Sequence, residues 1–283
     1  MMSTSQFLRR SWGRACFTLL LCALAAGVCA QSTQKNYEPQ VGQEGKDVIW
    51  VPTPQGLITK MLDMAKVTAS DYVIDLGSGD GRTVIAAAKR GARAAGIEYN
   101  PDMVELSKRS AEKEGVAGKA TFAKADIFES DFSQATVVTM YLLPNLNLKL
   151  RPTILNLKPG TRIVSHAFTM DDWTADQTES FDGRTAYLWI VPAKAEGTWQ
   201  LAQGTLTLAQ TFQMVTGTFA SGGNTLMVTN GKVRGDQLTF SAGNSEYTGR
   251  VNGNSIEGTS KGASSGPWNA TRTNGKPPAA LAK

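Results

Sequence analysis

In the stretch DYVIDLGSGDGR, residues 71–82, Asp75 is followed by Gly77, Ser78, Gly79 and Gly81. Val73, Ile74 and Leu76 read as a buried strand, and the residues from Arg82 on as a helix. A strand that runs through such a loop into a helix has few uses. Glycines carry no Cβ, so the turn can be tight and a ligand can touch the backbone. Free amides at the helix start favour an anionic group. A dinucleotide loop needs its third glycine one residue later, where this chain has Arg82, and an acid just before the loop would repel a pyrophosphate. A ligand with a cationic end and one carboxylate fits better. Asp75 then meets the positive end, and the loop amides meet the carboxylate.

Two further acids point the same way. Glu98 stands 23 residues after Asp75, in AAGIEYNP at the end of the next strand. A carboxylate there can accept both hydroxyl hydrogens of a ribose, with Tyr99 beside it. Asp126 follows the third strand in AKADIF, placed for an adenine amino group, with Ile127 or Phe128 to cover the ring. Taken singly, Glu98 reads as a solvated strand end and Asp126 as a helix cap. Together, three acids at the ends of three successive strands specify S-adenosylmethionine. The methyl group of that ligand should point toward Tyr141, after the fourth strand. Tyr141 is a candidate hydroxyl partner for an amine, against a packing role. His166, the one histidine, ends the fifth strand and is a candidate general base, against a hydrogen-bonded structural role. No metal is expected.

These residues need a scaffold. From residue 48 to 194 short β-rich runs alternate with helical periods: strands at 72–76, 92–98, 120–125, 136–142, 161–167 and 185–191, helices at 57–65, 82–89, 101–114 and 145–157. Such alternation implies an α/β doubly wound, Rossmann-like, mainly parallel sheet. The stretch between Ala167 and Thr185 is too short for a full helix between strands. Residues 195–273 differ. They are glycine-rich, lack helical period and contain the repeat GKVRGDQL and GRVNGNSI, whose Gly-Asp and Gly-Asn steps suit hairpin turns. They read as a small all-β antiparallel barrel or sandwich, folding independently of the first part. Residues 31–47 read as a linker and 274–283 as a disordered tail.

Residues 1–30 have the order of a secretory signal peptide: Arg9, Arg10 and Arg14, an apolar run, then Val28 and Ala30 before Gln31. Cleavage after Ala30 gives a periplasmic protein with no stable membrane insertion. An uncleaved N-terminal anchor is the alternative. Cleavage removes Cys16, Cys22 and Cys29, hence every cysteine, and lowers the net charge from +5 to +2. With no basic aromatic patch, nucleic acid is not an expected partner. Oligomeric state is not legible.

DLGSGDGRTVIAAAK, with VPTP upstream and GIEYNP downstream, resembles the class I S-adenosylmethionine-dependent methyltransferases. The stretch is most similar to the small protein-lysine methyltransferases that include the mitochondrial enzymes acting on a component of ATP synthase and on the adenine nucleotide carrier. The resemblance covers about residues 48–167 and leaves out the β-rich part. It implies a cofactor loop at 75–81, a ribose acid at Glu98, and N-methylation of a protein lysine or another, small amine. The fourth strand is followed by TMYLLPN rather than an Asn-Pro-Pro-Tyr motif, which disfavours methylation of DNA bases. A non-catalytic envelope module that keeps a nucleoside-binding fold is the alternative, since the cofactor is made in the cytoplasm.

Overall fold

The computed structural model describes residues 37–273; the signal segment 1–30, its three cysteines and the tail 274–283 lie outside the described residues. Seven strands form a sheet in the order β3-β2-β1-β4-β5-β7-β6. They are β1 (Tyr72–Leu76), β2 (Arg93–Glu98), β3 (Ala120–Lys124), β4 (Val137–Met140), β5 (Arg162–His166), β6 (Gln177–Phe181) and β7 (Arg184–Ile190). The first five are parallel, and β7 runs antiparallel to β5 and β6. Strands β1 and β4 are buried along nearly their whole length, as a sheet covered on both faces requires.

Helices α1 (Gln55–Met64), α2 (Arg82–Lys89) and α3 (Pro101–Lys113) cover one face with Leu57, Leu62, Val84, Ala87 and Val104. Asn100 caps α3: its side-chain oxygen accepts the Asp102 amide hydrogen at 2.9 Å, and Pro101 occupies the first helical position, where no amide hydrogen is needed. The other face has one helix, α4 (Pro144–Ile154). As the short 167–185 stretch implies, no helix joins β5 to β6. Instead β6 and β7 form a hairpin through Asp182 and Gly183, and β6 was not legible because QTESF is mostly exposed and polar.

Strands β8 (Gly197–Leu201), β9 (Gly204–Thr211), β10 (Met214–Ser221), β11 (Asn224–Arg234), β12 (Gln237–Ala242), β13 (Ser245–Asn252), β14 (Ser255–Gly262) and β15 (Gly266–Arg272) close into an antiparallel barrel. Side chains alternate between interior and solvent, most cleanly in β13. Trp199, Phe219, Phe240, Tyr247 and Trp268 fill the interior. A barrel of this size is packed by its own side chains. Gly235 and Gly253, from the two copies of the repeat, sit in hairpin turns.

The barrel is not separate from the sheet. Phe212, in the β9–β10 turn, belongs to the apolar cluster of Trp173, Trp189, Leu150 and Val191 on the thinly covered face. Lys232 pairs with Asp176 at 3.1 Å, and the Ala193 amide donates to the Gly235 carbonyl at 2.7 Å. The described residues 37–273 belong to one compact unit. Among the described residues no helix is long and apolar enough to cross a membrane.

Candidate active site

A cleft of about 310 Å³ lies at the carboxyl ends of β1, β2 and β4. The chain leaves β1 toward β2 and β3 on one side and resumes at β4 on the other, so the loops diverge there and leave a crevice.

The loop after β1 forms one wall. Gly77, Gly79 and Gly81 have φ of +75°, +53° and +80°, a region side chains enter at a cost. Space is also short: a Cβ on Gly79 would stand 2.7 Å from the Trp50 indole nitrogen. Glu98 braces the loop. Its Oε2 accepts the Gly79 amide hydrogen at 2.8 Å, and its Oε1 accepts that of Asn100 at 2.9 Å. Ser107 Oγ donates to the Gly79 carbonyl at 3.0 Å.

Asp75 sits on the cleft floor, buried, and accepts a hydrogen bond from Thr139 Oγ1 at 2.6 Å. Among the described residues no basic side chain pairs with it; Arg82 instead clasps Asp80, at 2.6 to 3.0 Å. Burial, with Glu98 and Asp80 nearby, pushes the Asp75 carboxyl up to about 7. Asp126 Oδ1 accepts the Phe128 amide hydrogen at 2.9 Å, and Oδ2 accepts from Lys46 Nζ at 2.6 Å. The lysine lowers the Asp126 carboxyl below its usual range.

Of the residues picked from sequence, Asp75, Gly77, Ser78, Gly79, Glu98, Tyr99, Asp126, Ile127 and Tyr141 line this one cleft. Two do not. Gly81 is the N-cap of α2 and serves the turn. His166 lies behind Tyr141, ring centroids 3.8 Å apart, with Nδ1 at 3.0 Å from Thr53 Oγ1. Burial, with the Arg184 charge, lowers its imidazole to about 4, so it is neutral near pH 7. His166 does not line the cleft, and its contacts fit the hydrogen-bonded structural role set beside the general base.

The linker reading is corrected for part of the stretch 31–47. Within it, residues 43–47 line the cleft and continue through Val48, Ile49, Trp50 and Val51 as a strap across it. Amide hydrogen bonds between Gly42 and Trp50 and between Trp50 and Gln43, each 2.9 Å, close the strap on itself. Arg82 Nη1 ties its end to the Thr53 carbonyl at 3.2 Å. The apolar run Val48, Ile49, Trp50 and Val51, directly after the polar stretch, was the available signal. Phe168, Leu143 and Leu146 complete the wall beyond Tyr141.

The residues fit S-adenosylmethionine. Asp75 is a buried carboxylate lacking a cationic partner, Ser78 Oγ is buried without a hydrogen-bond partner, and Glu98 is an acid at the second strand end. Sheet order, glycine loop and this acid define a class I S-adenosylmethionine-dependent methyltransferase.

Comparison with known proteins agrees. Residues 75–177 match the family described as ANTKMT methyltransferase domain. A protein-lysine N-methyltransferase of Saccharolobus islandicus is 42% identical over 151 residues, which span 51% of this chain and 94% of that protein. The adenine nucleotide translocase lysine N-methyltransferase of Mus musculus is 33% identical over 103 residues, 36% of this chain and 45% of that one. A structure described as an RNA methyltransferase from Salinibacter ruber with S-adenosyl-L-homocysteine is 49% identical, covering 50% of this chain and 94% of that one, with a TM-score of 0.49. The chain belongs to this family of class I S-adenosylmethionine-dependent methyltransferases, and it is an enzyme. The family match ends before the barrel begins.

Proposed function

We propose that the enzyme methylates the side-chain amine of lysine in a partner protein. One observation carries this reading: beyond the acid floor, the cleft is walled by Trp50, Tyr141, Phe168, Leu142 and Leu143. An apolar and aromatic wall suits a long aliphatic side chain ending in an amine. The name of the Saccharolobus relative supports it.

When bound, S-adenosylmethionine supplies a methyl group already activated by its sulfonium. The protein then has to align the amine and exclude water. The strap covers the cleft, with Trp50 over Gly79. Tyr141 is fixed between His166 and Phe168, at ring separations of 3.8 and 6.0 Å. A lysine ammonium entering this wall is desolvated, which favours the neutral amine that attacks. His166 packs against the Tyr141 ring from behind.

Export to the periplasm, from the signal-like order of residues 1–30, is part of the proposal. The N-terminal mass of the isolated protein, starting near Gln31 or at Met1, decides it.

The acceptor is tested with methyl-labelled S-adenosylmethionine, protein fractions and RNA, followed by amino-acid analysis. Label in methylated lysine supports the reading. Label confined to RNA, or to arginine or histidine, overturns it.

A further inference from the structure

Five consecutive hairpins of the barrel, from β9–β10 to β13–β14, close with two-residue turns. The first residue of each turn has φ of +51°, +57°, +61°, +55° and +57° in chain order. Four of these residues are glycines: Gly222, Gly235, Gly243 and Gly253. The remaining one is Phe212. A bulky residue in this region is an outlier, and it persists only where its surroundings over-determine it. Where a barrel turn takes this φ and only a turn is needed, the residue is glycine; the β8–β9 turn, Ala202–Gln203, does not take it.

What holds Phe212 is the loop after β5, with α4 beside it. Its ring stacks on Trp173, centroids 5.8 Å apart and 14° from parallel, and the Arg151 guanidinium lies 5.3 Å from its centroid. The next residue, Gln213, is buried and donates from Nε2 to the Thr174 carbonyl at 2.7 Å. Trp173 and Thr174 end the loop that follows β5. The same loop is gripped from α4. Asn147 Nδ2 donates to the Thr169 carbonyl at 3.1 Å, Arg151 Nη1 donates to the Met170 carbonyl at 2.9 Å, and Arg151 also pairs with Asp172. Within the loop, Ala167 and Asp171 have φ of +64° and +57°, a shape it adopts only when held. Phe168 on this loop and Leu146 on α4 both line the cleft, opposite the glycine loop.

We propose that Phe212 is a positioning residue for methyl transfer. Through the Phe212–Gln213 turn, the barrel holds the 167–174 loop against α4 and thereby sets the acceptor wall. The inference rests on the reading that this wall receives the amine. It gives the barrel a part in the reaction although it contributes no residue to the cleft.

The test uses the full chain with Phe212→Gly and Phe212→Tyr. The first gives the turn the residue its four counterparts use, so the barrel keeps its turn and loses only the anchor. S-adenosylhomocysteine affinity is measured by calorimetry, methyl transfer with poly-L-lysine as probe acceptor, and amide exchange by segment. Phe212→Gly should keep S-adenosylhomocysteine affinity and slow exchange in β11–β14. It should speed exchange at 167–174 and lower kcat/KM for poly-L-lysine about ten- to a hundredfold, mainly through kcat, because small misplacements at a reacting centre cost that much. Phe212→Tyr should restore both. If Phe212→Gly loses thermal stability alone, with kcat/KM per folded molecule and exchange at 167–174 unchanged, Phe212 is a plug and the proposal is overturned. If the wild type does not methylate poly-L-lysine, the lysine reading is what fails. Exchange at 167–174 then decides the positioning claim: faster supports it, unchanged overturns it. Should Phe212→Gly not fold, Phe212→Leu takes its place in the same measurements.

Discussion

Glu98 and Gly79 are joined by a hydrogen bond of 2.8 Å, from the amide of the cofactor loop to the acid at the end of the next strand. The acid placed to accept ribose hydroxyls is thus also part of the loop's own frame. From sequence, a strand-end acid facing a cleft should be removable without loss of stability. The bonds to Gly79 and Asn100 change that expectation.

Glu98→Ala should therefore weaken S-adenosylmethionine binding by at least about tenfold and also lower the melting temperature of the ligand-free protein. Hydrogen bonds to a charged group are worth roughly 1.5 to 3 kcal/mol. Glu98→Gln keeps an acceptor and should recover part of the stability but less of the affinity. Calorimetry and thermal melts on the three proteins check this. An unchanged melting temperature in Glu98→Ala would show that the brace is not stabilising.

The pH dependence of stability has two opposed parts. Asp75 is pushed up to about 7 from 3.8, so between those values the folded protein holds a proton that the unfolded chain has released. Stability from this group falls as pH rises through that window and is level above it. His166 is lowered to about 4 from 6.5, so between those values the unfolded chain binds the extra proton. Stability from this group rises over that window. Asp75→Asn removes the falling part alone. The variant should gain stability more steeply than the wild type from about pH 4 to 6.5 and be at least as stable near pH 8, while binding the cofactor poorly. A variant less stable than wild type near pH 8 would show that ionised Asp75 supports the fold.

Lys46 joins the strap to Asp126 across the cleft. Lys46→Ala should free the strap and speed both entry and release of S-adenosylhomocysteine, followed by stopped-flow fluorescence of Trp50. Affinity should change less than either rate, because Asp126 loses a partner that competes with the ligand. Unchanged rates would mean that the strap does not limit access.

The sequence was most informative where a backbone need dictates a residue type. Gly77, Gly79 and Gly81 mark the loop, Asn100 and Pro101 the start of α3, and Gly235 and Gly253 hairpin turns of the barrel. Asp75, Glu98 and Asp126 were legible because each stands where a strand ends. What escaped depends on distant partners. Thr211 to Met214 has no glycine and does not look like a turn; packing against Trp173, the Arg151 guanidinium over the ring and the Gln213–Thr174 hydrogen bond hold Phe212 there. The strap looks like a linker because Gln43, Lys46 and Asp47 are polar, and their contacts lie across the cleft, as with Lys46 and Asp126. His166 is apt for a base by type, but its burial behind Tyr141 is a tertiary fact.

The central claim is that the cleft holds S-adenosylmethionine with Asp75 at its cationic end. Calorimetric titration of the full chain with that ligand, repeated in buffers of different ionisation enthalpy, tests it most directly. A positive group beside Asp75 lowers its pKa from about 7, so binding near pH 7 should release a fraction of a proton and tighten as pH rises from about 6 to 8. The result expected is one site per chain with proton release that disappears in Asp75→Asn. No binding, or binding whose proton release is the same in Asp75→Asn, would contradict the account.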